Sequence, residues 1–177
     1  MTKRLLVLTG SARPNSAGDK LLPLIASAVQ AQPELQLDIA RVDELNLPFY
    51  NAPTPPSAEE YEITDSAVRA WSERVTGADA VIWLMPEYNH AMTAIQKNAL
   101  DWLYSEWHNK PLGIVAYGFY GGKHALENAE QVMDVLKPDL RKTVGLALMQ
   151  ELEGDGTPKD EAAVAASITD VIQAVIA

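Results

Sequence analysis

Apolar and polar residues follow two alternating rhythms along the chain. Short apolar runs, beginning with residues 4–9 (RLLVLT), are separated by longer segments in which apolar side chains return every three or four positions, the period of a helix with one buried face. Leu21, Leu22, Ile25, Ala28 and Val29 mark a first helix that Pro33 closes. Residues 35–42 (LQLDIARV) alternate apolar with polar and predict a half-exposed edge strand. Residues 43–63 break the rhythm with Pro48, Pro53, Pro55 and Pro56, and a loop of this length is usually functional or engaged in contacts. Thr64 or Asp65 can cap a second helix carrying Val68, Trp71 and Val75 and ended by Gly77. A central strand over 79–85, a third helix over 91–107, a fourth strand over 111–116, a fourth helix over 123–136 and a fifth strand over 140–149 follow. Val164, Ile168, Val171, Ile172 and Val175 draw an apolar stripe along the last helix.

Strict alternation of strand and helix predicts a parallel α/β sheet covered on both faces, a three-layer sandwich. The first strand is apolar throughout and the second alternates, which suits the flavodoxin-like order 2-1-3-4-5 better than a six-stranded dinucleotide-binding sheet. Ligands of such sheets sit beyond the carboxyl ends of the strands, at the switch point between strands one and three. Chemistry is therefore expected just after residues 9, 85 and 116.

Composition narrows the classes. A length of 177 residues suits one domain spanning 1–177. With no cysteine there is no disulfide scaffold, thiolate metal site or cysteine nucleophile. A formal charge of −10 opposes a nucleic-acid backbone as main partner. The apolar run near the N-terminus is too short for a signal peptide and no stretch is long enough to span a membrane, so a cytoplasmic protein is expected.

Three loops carry the candidate chemistry. Thr9-Gly10-Ser11-Ala12-Arg13-Pro14-Asn15-Ser16-Ala17-Gly18 joins the first strand to a helix and supplies hydroxyls, a guanidinium and helix-start N–H groups, the parts of a phosphate site. It lacks the Walker and Gly-x-Gly-x-x-Gly patterns, and Ser16 as a plain N-cap is the ordinary alternative. Met85-Pro86-Glu87-Tyr88-Asn89-His90 ends the central strand; Tyr88 offers an aromatic face and Asn89 an amide suited to a heterocycle edge. Tyr117-Gly118-Phe119-Tyr120-Gly121-Gly122 leaves the fourth strand with glycines that let backbone approach a flat ligand. All three loops fall on one sheet edge, where a single large ligand can touch them.

These segments resemble the NADPH-dependent FMN reductase family, which comprises flavodoxin-like quinone, azo-dye and chromate reductases. Gly10-Ser11-x-Arg13-x-x-Ser16, Leu47-Pro48-Phe49-Tyr50-Asn51, Pro86-Glu87-Tyr88-Asn89 and Lys97-Asn98-Ala99-Leu100-Asp101-Trp102 carry the resemblance. It implies that Ser11, Arg13 and Ser16 bind an FMN phosphate with Asn15 as neighbour, that Pro86, Glu87, Tyr88 and Asn89 lie along the isoalloxazine, and that Tyr117 and Gly118 close its other side. It also implies NADPH or NADH as co-substrate. The chain departs from the family at His90-Ala91-Met92-Thr93-Ala94, where Gly-Ser-x-Pro-Gly is common. It departs again at Gly18, where Asn is frequent, and at His124, where Arg is usual.

Hydride transfer and electron delivery belong to a bound flavin, so no side chain is nominated as catalytic. The expected reaction is ping-pong reduction of a small-molecule acceptor of quinone, azo, nitro or metal-oxyanion type. The alternative is a non-enzymatic FMN carrier serving a protein partner, to which the acidic surface is suited. A hydrolase built on Ser11 lacks a Gly-x-Ser-x-Gly elbow. His90, His108 and His124 are far apart in sequence, and no metal site is expected. Trp71, Trp83 and Trp102 read as core, and Glu59, Glu60, Glu62, Glu151, Glu153 and Asp155 as solvated acidic loops. Leu100, Leu103, Tyr104 and Trp107 should face outward from the third helix and form an apolar patch, hence a homodimer, with a homotetramer as the larger alternative. The family resemblance implies a dimer as well.

Overall fold

The computed structural model describes residues 2–177, leaving Met1 outside. The elements are β1 (Lys3–Thr9), α1 (Ala17–Gln30), β2 (Leu35–Ala40), α2 (Ser66–Thr76), β3 (Ala80–Pro86), α3 (Ala94–Asp101), β4 (Pro111–Gly118), α4 (Lys123–Leu136), β5 (Asp139–Ala147) and α5 (Glu161–Ile176), with a single 3-10 turn at Ser105–Trp107. The strands are parallel and stand in the order β2-β1-β3-β4-β5, as the apolar rhythm predicts. Among the described residues no helix is long and apolar enough to cross a membrane.

Side chains alternate across each strand and so divide the core into two layers. Leu6 and Leu8 of β1 with Val81, Trp83 and Met85 of β3 meet α2, α3 and α4 on one face. Leu5 and Val7 with Ile82 and Leu84 meet α1 and α5 on the other. Strands buried on both faces must be apolar throughout, which is why β1 and β3 lack the alternation seen in edge strand β2. At the opposite edge β5 is largely exposed until Leu146.

The region read as one helix over 91–107 is broken. Thr93 caps a short α3, accepting a hydrogen bond from the Gln96 N–H, and the chain turns after Asp101 into the 3-10 turn. The break folds inward the residues that a continuous helix would have carried outward. Leu100, Leu103 and Trp107 are at most 1% exposed, and only Tyr104 of the four stays half-buried. The apolar patch expected on that face is therefore absent. The exposed large apolar side chains are instead Phe49, Phe119, Tyr120, Val135, Leu140 and Met149, with Tyr50 at the margin.

The long loop is tied down by the Lys97–Trp102 segment. The Pro48 carbonyl accepts hydrogen bonds from Asn98 Nδ2 at 2.9 Å and Trp102 Nε1 at 2.8 Å, and the Tyr50 N–H donates to Asn98 Oδ1 at 2.8 Å. Tyr50 then stands edge-on to Trp102. This segment thus holds loop to helix, and Trp71, Trp83 and Trp102 are core residues as expected.

Arg4 of β1 and Arg74 in the last turn of α2 converge on Asp38 of β2, with Arg74 Nε 3.0 and 2.9 Å from its two oxygens. Burial pushes the Asp38 carboxyl up, but the bonds from Arg74 and Arg4 outweigh it and hold the group below its ordinary value. A depressed carboxylate contributes stability above the unfolded-state pKa and loses it as pH falls through the folded one. Asp38→Asn is accordingly expected to cost about 1–3 kcal/mol at pH 7. In urea unfolding, the gap to the native chain should narrow below about pH 4; an equal gap at neutral and acid pH would remove the ion cluster from the stability account.

Candidate active site

Strand register brings the three loops together. Thr9 pairs with Leu84, and Pro86 pairs with Tyr117, so β1, β3 and β4 end side by side. Beyond them lie two contiguous hollows of about 200 and about 450 Å3 that share Arg13, Glu87, Tyr88 and Phe119. Asn15, Ser16, Pro86, Tyr117 and Gly118 also line the first, and Asn89 and His90 the second. Ser11 lies just behind, its Oγ 2.9 Å from the Tyr88 hydroxyl and accepting the Arg13 N–H at 3.1 Å. All ten sequence-predicted site residues are thereby brought into one cleft or its immediate wall.

Within the first loop the roles divide. Ser16 is the N-cap of α1 in a reciprocal capping box with Asp19, its Oγ both accepting from the Asp19 N–H and donating to Asp19 Oδ2. Its hydroxyl is thus already engaged, as the ordinary reading of that serine has it. Asn15 takes the left-handed conformation, with φ of 56°, which turns the chain into the helix. The helix start leaves the Ala17 and Gly18 N–H groups without intrahelical partners. Arg4, Arg41, Arg74 and Arg141 are each matched to a carboxylate; Arg69 has none but donates to the Ile63 carbonyl, whereas Arg13 is exposed and has neither among the described residues. An unmatched guanidinium near helix-start amides, on an acidic protein, is chemistry suited to an anion. Ser11 has a phenol rather than an imidazole as neighbour, so it lacks the base a hydrolytic nucleophile needs.

The second loop doubles back in a tight turn. Tyr88 and Ala91 exchange backbone hydrogen bonds of 2.9 and 3.0 Å around Asn89 and His90, both left-handed. Thr93 restores the helix start that the missing Gly and Pro would otherwise supply, and its hydroxyl donates to the Gly10 carbonyl at 2.5 Å. Glu87 turns toward α4. Gly122 at the N-cap of that helix has no side chain to offer, and Glu87 Oε2 accepts the His124 and Ala125 N–H groups at 2.9 and 3.3 Å instead. Glu87 is therefore a cap contributed by a neighbouring loop.

Tyr117 closes the cleft floor. Its hydroxyl is buried without a hydrogen-bond partner, although Ser16 and Gly18 stand beside it. Burial, reinforced by Tyr88, raises its pKa well above that of a free phenol. A Cβ on Gly18 would fall 2.7 Å from this oxygen, so glycine at that departure from the family is needed to admit the ring. Tyr117→Phe is expected to leave the empty protein as stable or slightly more so, because the orphan hydroxyl costs up to about 1–3 kcal/mol to bury. Thermal melts without FMN check this, and clear destabilisation would show the hydroxyl to be satisfied internally by Ser16 or Gly18.

Phe119 of the third loop lines the smaller hollow too, and the sequence reading missed Leu148, Gly154 and Asp155, which also line it. The 148–160 segment folds back onto the start of α1, with Gly156 (φ of 90°) packed directly against Ala17. Asp155 accepts the Thr157 N–H, which holds its pKa below the ordinary value, and it places a negative charge at the cleft mouth. The expectation that the histidines stand apart is also overturned. His90 and His124 rings lie 4.2 Å apart, and Glu87 joins them. Only the neighbouring ends of β3 and β4 create this proximity. A larger hollow of about 480 Å3 lies elsewhere, between the proline-rich loop and Trp102. It lacks the converging cation and amides that mark the cleft.

Comparison with known proteins agrees with this geometry. An NAD(P)H-dependent FMN reductase of Schizosaccharomyces pombe is 34% identical over 81% of this chain and 72% of its own length. Another NAD(P)H-dependent FMN reductase, from Saccharomyces cerevisiae, is 29% identical over 74% of this chain and 73% of its own. The solved structure of FerB, a flavoenzyme NAD(P)H:(acceptor) oxidoreductase from Paracoccus denitrificans, superimposes with a TM-score of 0.72 at 21% identity, covering 99% of this chain and 98% of that one, and so shares the fold. The family model described as NADPH-dependent FMN reductase matches residues 3–144, the stretch that contains the Gly10–Gly18 loop, the Pro86–Asn89 turn and the Gly118–Gly122 exit. The chain belongs to the NADPH-dependent FMN reductase family.

Proposed function

We propose that the cleft holds FMN and that the protein is an NAD(P)H oxidoreductase reducing a small-molecule acceptor of quinone, azo, nitro or metal-oxyanion type. The observation that carries this reading is the convergence of Arg13, without a carboxylate partner, and the α1 start with the Tyr88 and Tyr117 rings in one continuous cleft. The donor set fits the group: a guanidinium and helix-start amides for a phosphate, and Tyr88, Tyr117 and Gly118 along the wall for a flat ring. The hollows together match the usual size of small-molecule sites, about 300–1,000 Å3. In this reading Arg13, Ser11 and the helix start fix the phosphate, while Asn15 shapes the loop. Ser16 and Glu87 act chiefly through the helices they cap. Pro86, Tyr88 and Asn89 position the ring from one side, with Tyr117 and Gly118 beneath.

When bound, the flavin supplies hydride acceptance and electron transfer, so the protein's part is binding, orientation and an open face. Phe119 and Tyr120, 68% and 66% exposed, flank that opening. One entry shared in turn by nicotinamide and acceptor predicts ping-pong kinetics. The test is anaerobic mixing of the FMN-loaded protein with NADPH. Bleaching without any second protein, followed by recolouring with a quinone and parallel steady-state lines, supports the enzyme; no bleaching by NADPH or NADH leaves the carrier. A homodimer remains our reading of the assembly, now resting on exposed Phe49, Phe119, Tyr120 and Met149, and a monomeric mass at micromolar concentration would exclude it.

A further inference from the structure

We propose that Glu87, His90 and His124 form a binding site for a divalent transition-metal ion of the zinc, nickel or copper class, at the rim of the cleft. One ligand atom from each side chain lies within 4.8 Å of the others. Two imidazoles and a carboxylate make the nitrogen and oxygen set such ions prefer. Tetrahedral coordination at about 2.1 Å needs donors about 3.4 Å apart, so the side chains close inward by roughly an ångström. Both rings are free to do so, His90 being exposed and His124 half-buried.

Three observations separate this cluster from chance proximity. Capping α4 engages only Oε2 of Glu87 and leaves the other carboxylate oxygen available. His90 is held at φ of 63° in the turn after β3, a conformation uncommon for residues other than glycine, and this places its ring against His124. Glu127 Oε2 stands 3.2 Å from His124 Nδ1, the outer-carboxylate arrangement that orients metal-bound histidines and sets their tautomer. The protein's net charge of −10 further favours a cation there. Because Glu87 and His90 follow β3 while His124 opens α4, an ion would staple the two loops that flank the cleft. Its remaining coordination positions would be open to water or to an oxygen-bearing molecule beside Tyr120.

The site is tested on the untagged full-length chain by calorimetric titration with zinc sulfate and, separately, nickel chloride in chelator-free buffer, with and without saturating FMN. The expected result is one ion per chain, a raised melting temperature, and affinity at least ~10-fold weaker in His90→Ala and in His124→Ala, with His108→Ala unchanged. Glu127→Gln, as a positioning change, should weaken binding by about 10–100-fold. Circular dichroism establishes that each variant is folded. Absence of binding to the folded native chain, or equal affinity in the His90→Ala/His124→Ala double variant, overturns the proposal. The readout does not require FMN or turnover, so failure of the flavin reading leaves it intact and its failure leaves the flavin reading intact.

Discussion

Trp107→Ala is expected to lower the unfolding free energy by about 3–5 kcal/mol, and the melting temperature by about 6–20 °C for a chain of this size. Trp107 is fully buried between β3 and α2, its ring 5.9 Å from that of Trp83 and 6.1 Å from that of Trp71. Removing the ring opens a cavity among side chains that are themselves anchored. Trp71 is held by its Nε1 donating to the Ala99 carbonyl at 2.7 Å, and Trp83 is locked in the central strand. Neither can move in to fill the space. One term works the other way: the Trp107 indole N–H is buried without a partner, and deleting it removes that desolvation cost. The net loss should therefore lie near 3 kcal/mol rather than 5. Trp107→Phe, which keeps most of the apolar volume and also drops the orphan N–H, should lose much less. Urea unfolding of both variants checks the account, and an alanine variant losing under about 1 kcal/mol would mean that the tryptophan cluster collapses freely. Flavin affinity should be unchanged in either, because Trp107 lies outside the cleft.

The same residue shows where the sequence stops being informative. Strands β1 and β3 are legible because burial on both faces leaves no polar position, and α5 because its stripe is uninterrupted. Nothing local marks the end of α3. Residues 91–107 keep helical spacing of apolar groups, but Leu103 and Trp107 can reach the core only if the chain turns after Asp101. The competition is settled by Trp71 and Trp83, which are distant in sequence. Candidate site residues were legible for the opposite reason: they lie directly after strand ends, and parallel topology puts those ends together. The roles of Asn98, Trp102 and Glu87 were not legible, since each acts on a backbone group of another segment, the Pro48 carbonyl or the α4 N–H groups. The meeting of His90 with His124, and the return of Asp155 to the cleft, likewise depend on segments 34 and about 140 positions away from their partners.

Gly10→Ala is expected to weaken FMN binding by about 100-fold, the scale on which misplacement by about an ångström acts in an oriented site, while costing only about 1–3 kcal/mol of stability. Gly10 follows β1 and opens the loop that carries Ser11 and Arg13, and its carbonyl receives the Thr93 hydroxyl that starts α3. A Cβ there would stand 2.5 Å from Gln96 Oε1 and nearer still to Pro86 Cδ. Gln96 is fully buried with its amide unpartnered, so it has little room to swing aside. Pro86 is a rigid ring fixed at the end of β3 by pairing with Tyr117. Since no positive φ is involved at Gly10, the cost is contact rather than backbone strain. The added methyl must therefore push apart the two loops that carry Arg13 and Tyr88. Gln96→Ala placed on top of Gly10→Ala should restore part of the stability and little of the affinity, because the Pro86 contact remains. Melting curves and flavin-fluorescence titration measure the two quantities independently. An alanine variant that melts lower yet binds FMN as tightly as the native chain would show that the spacing between these loops is not what holds the cofactor.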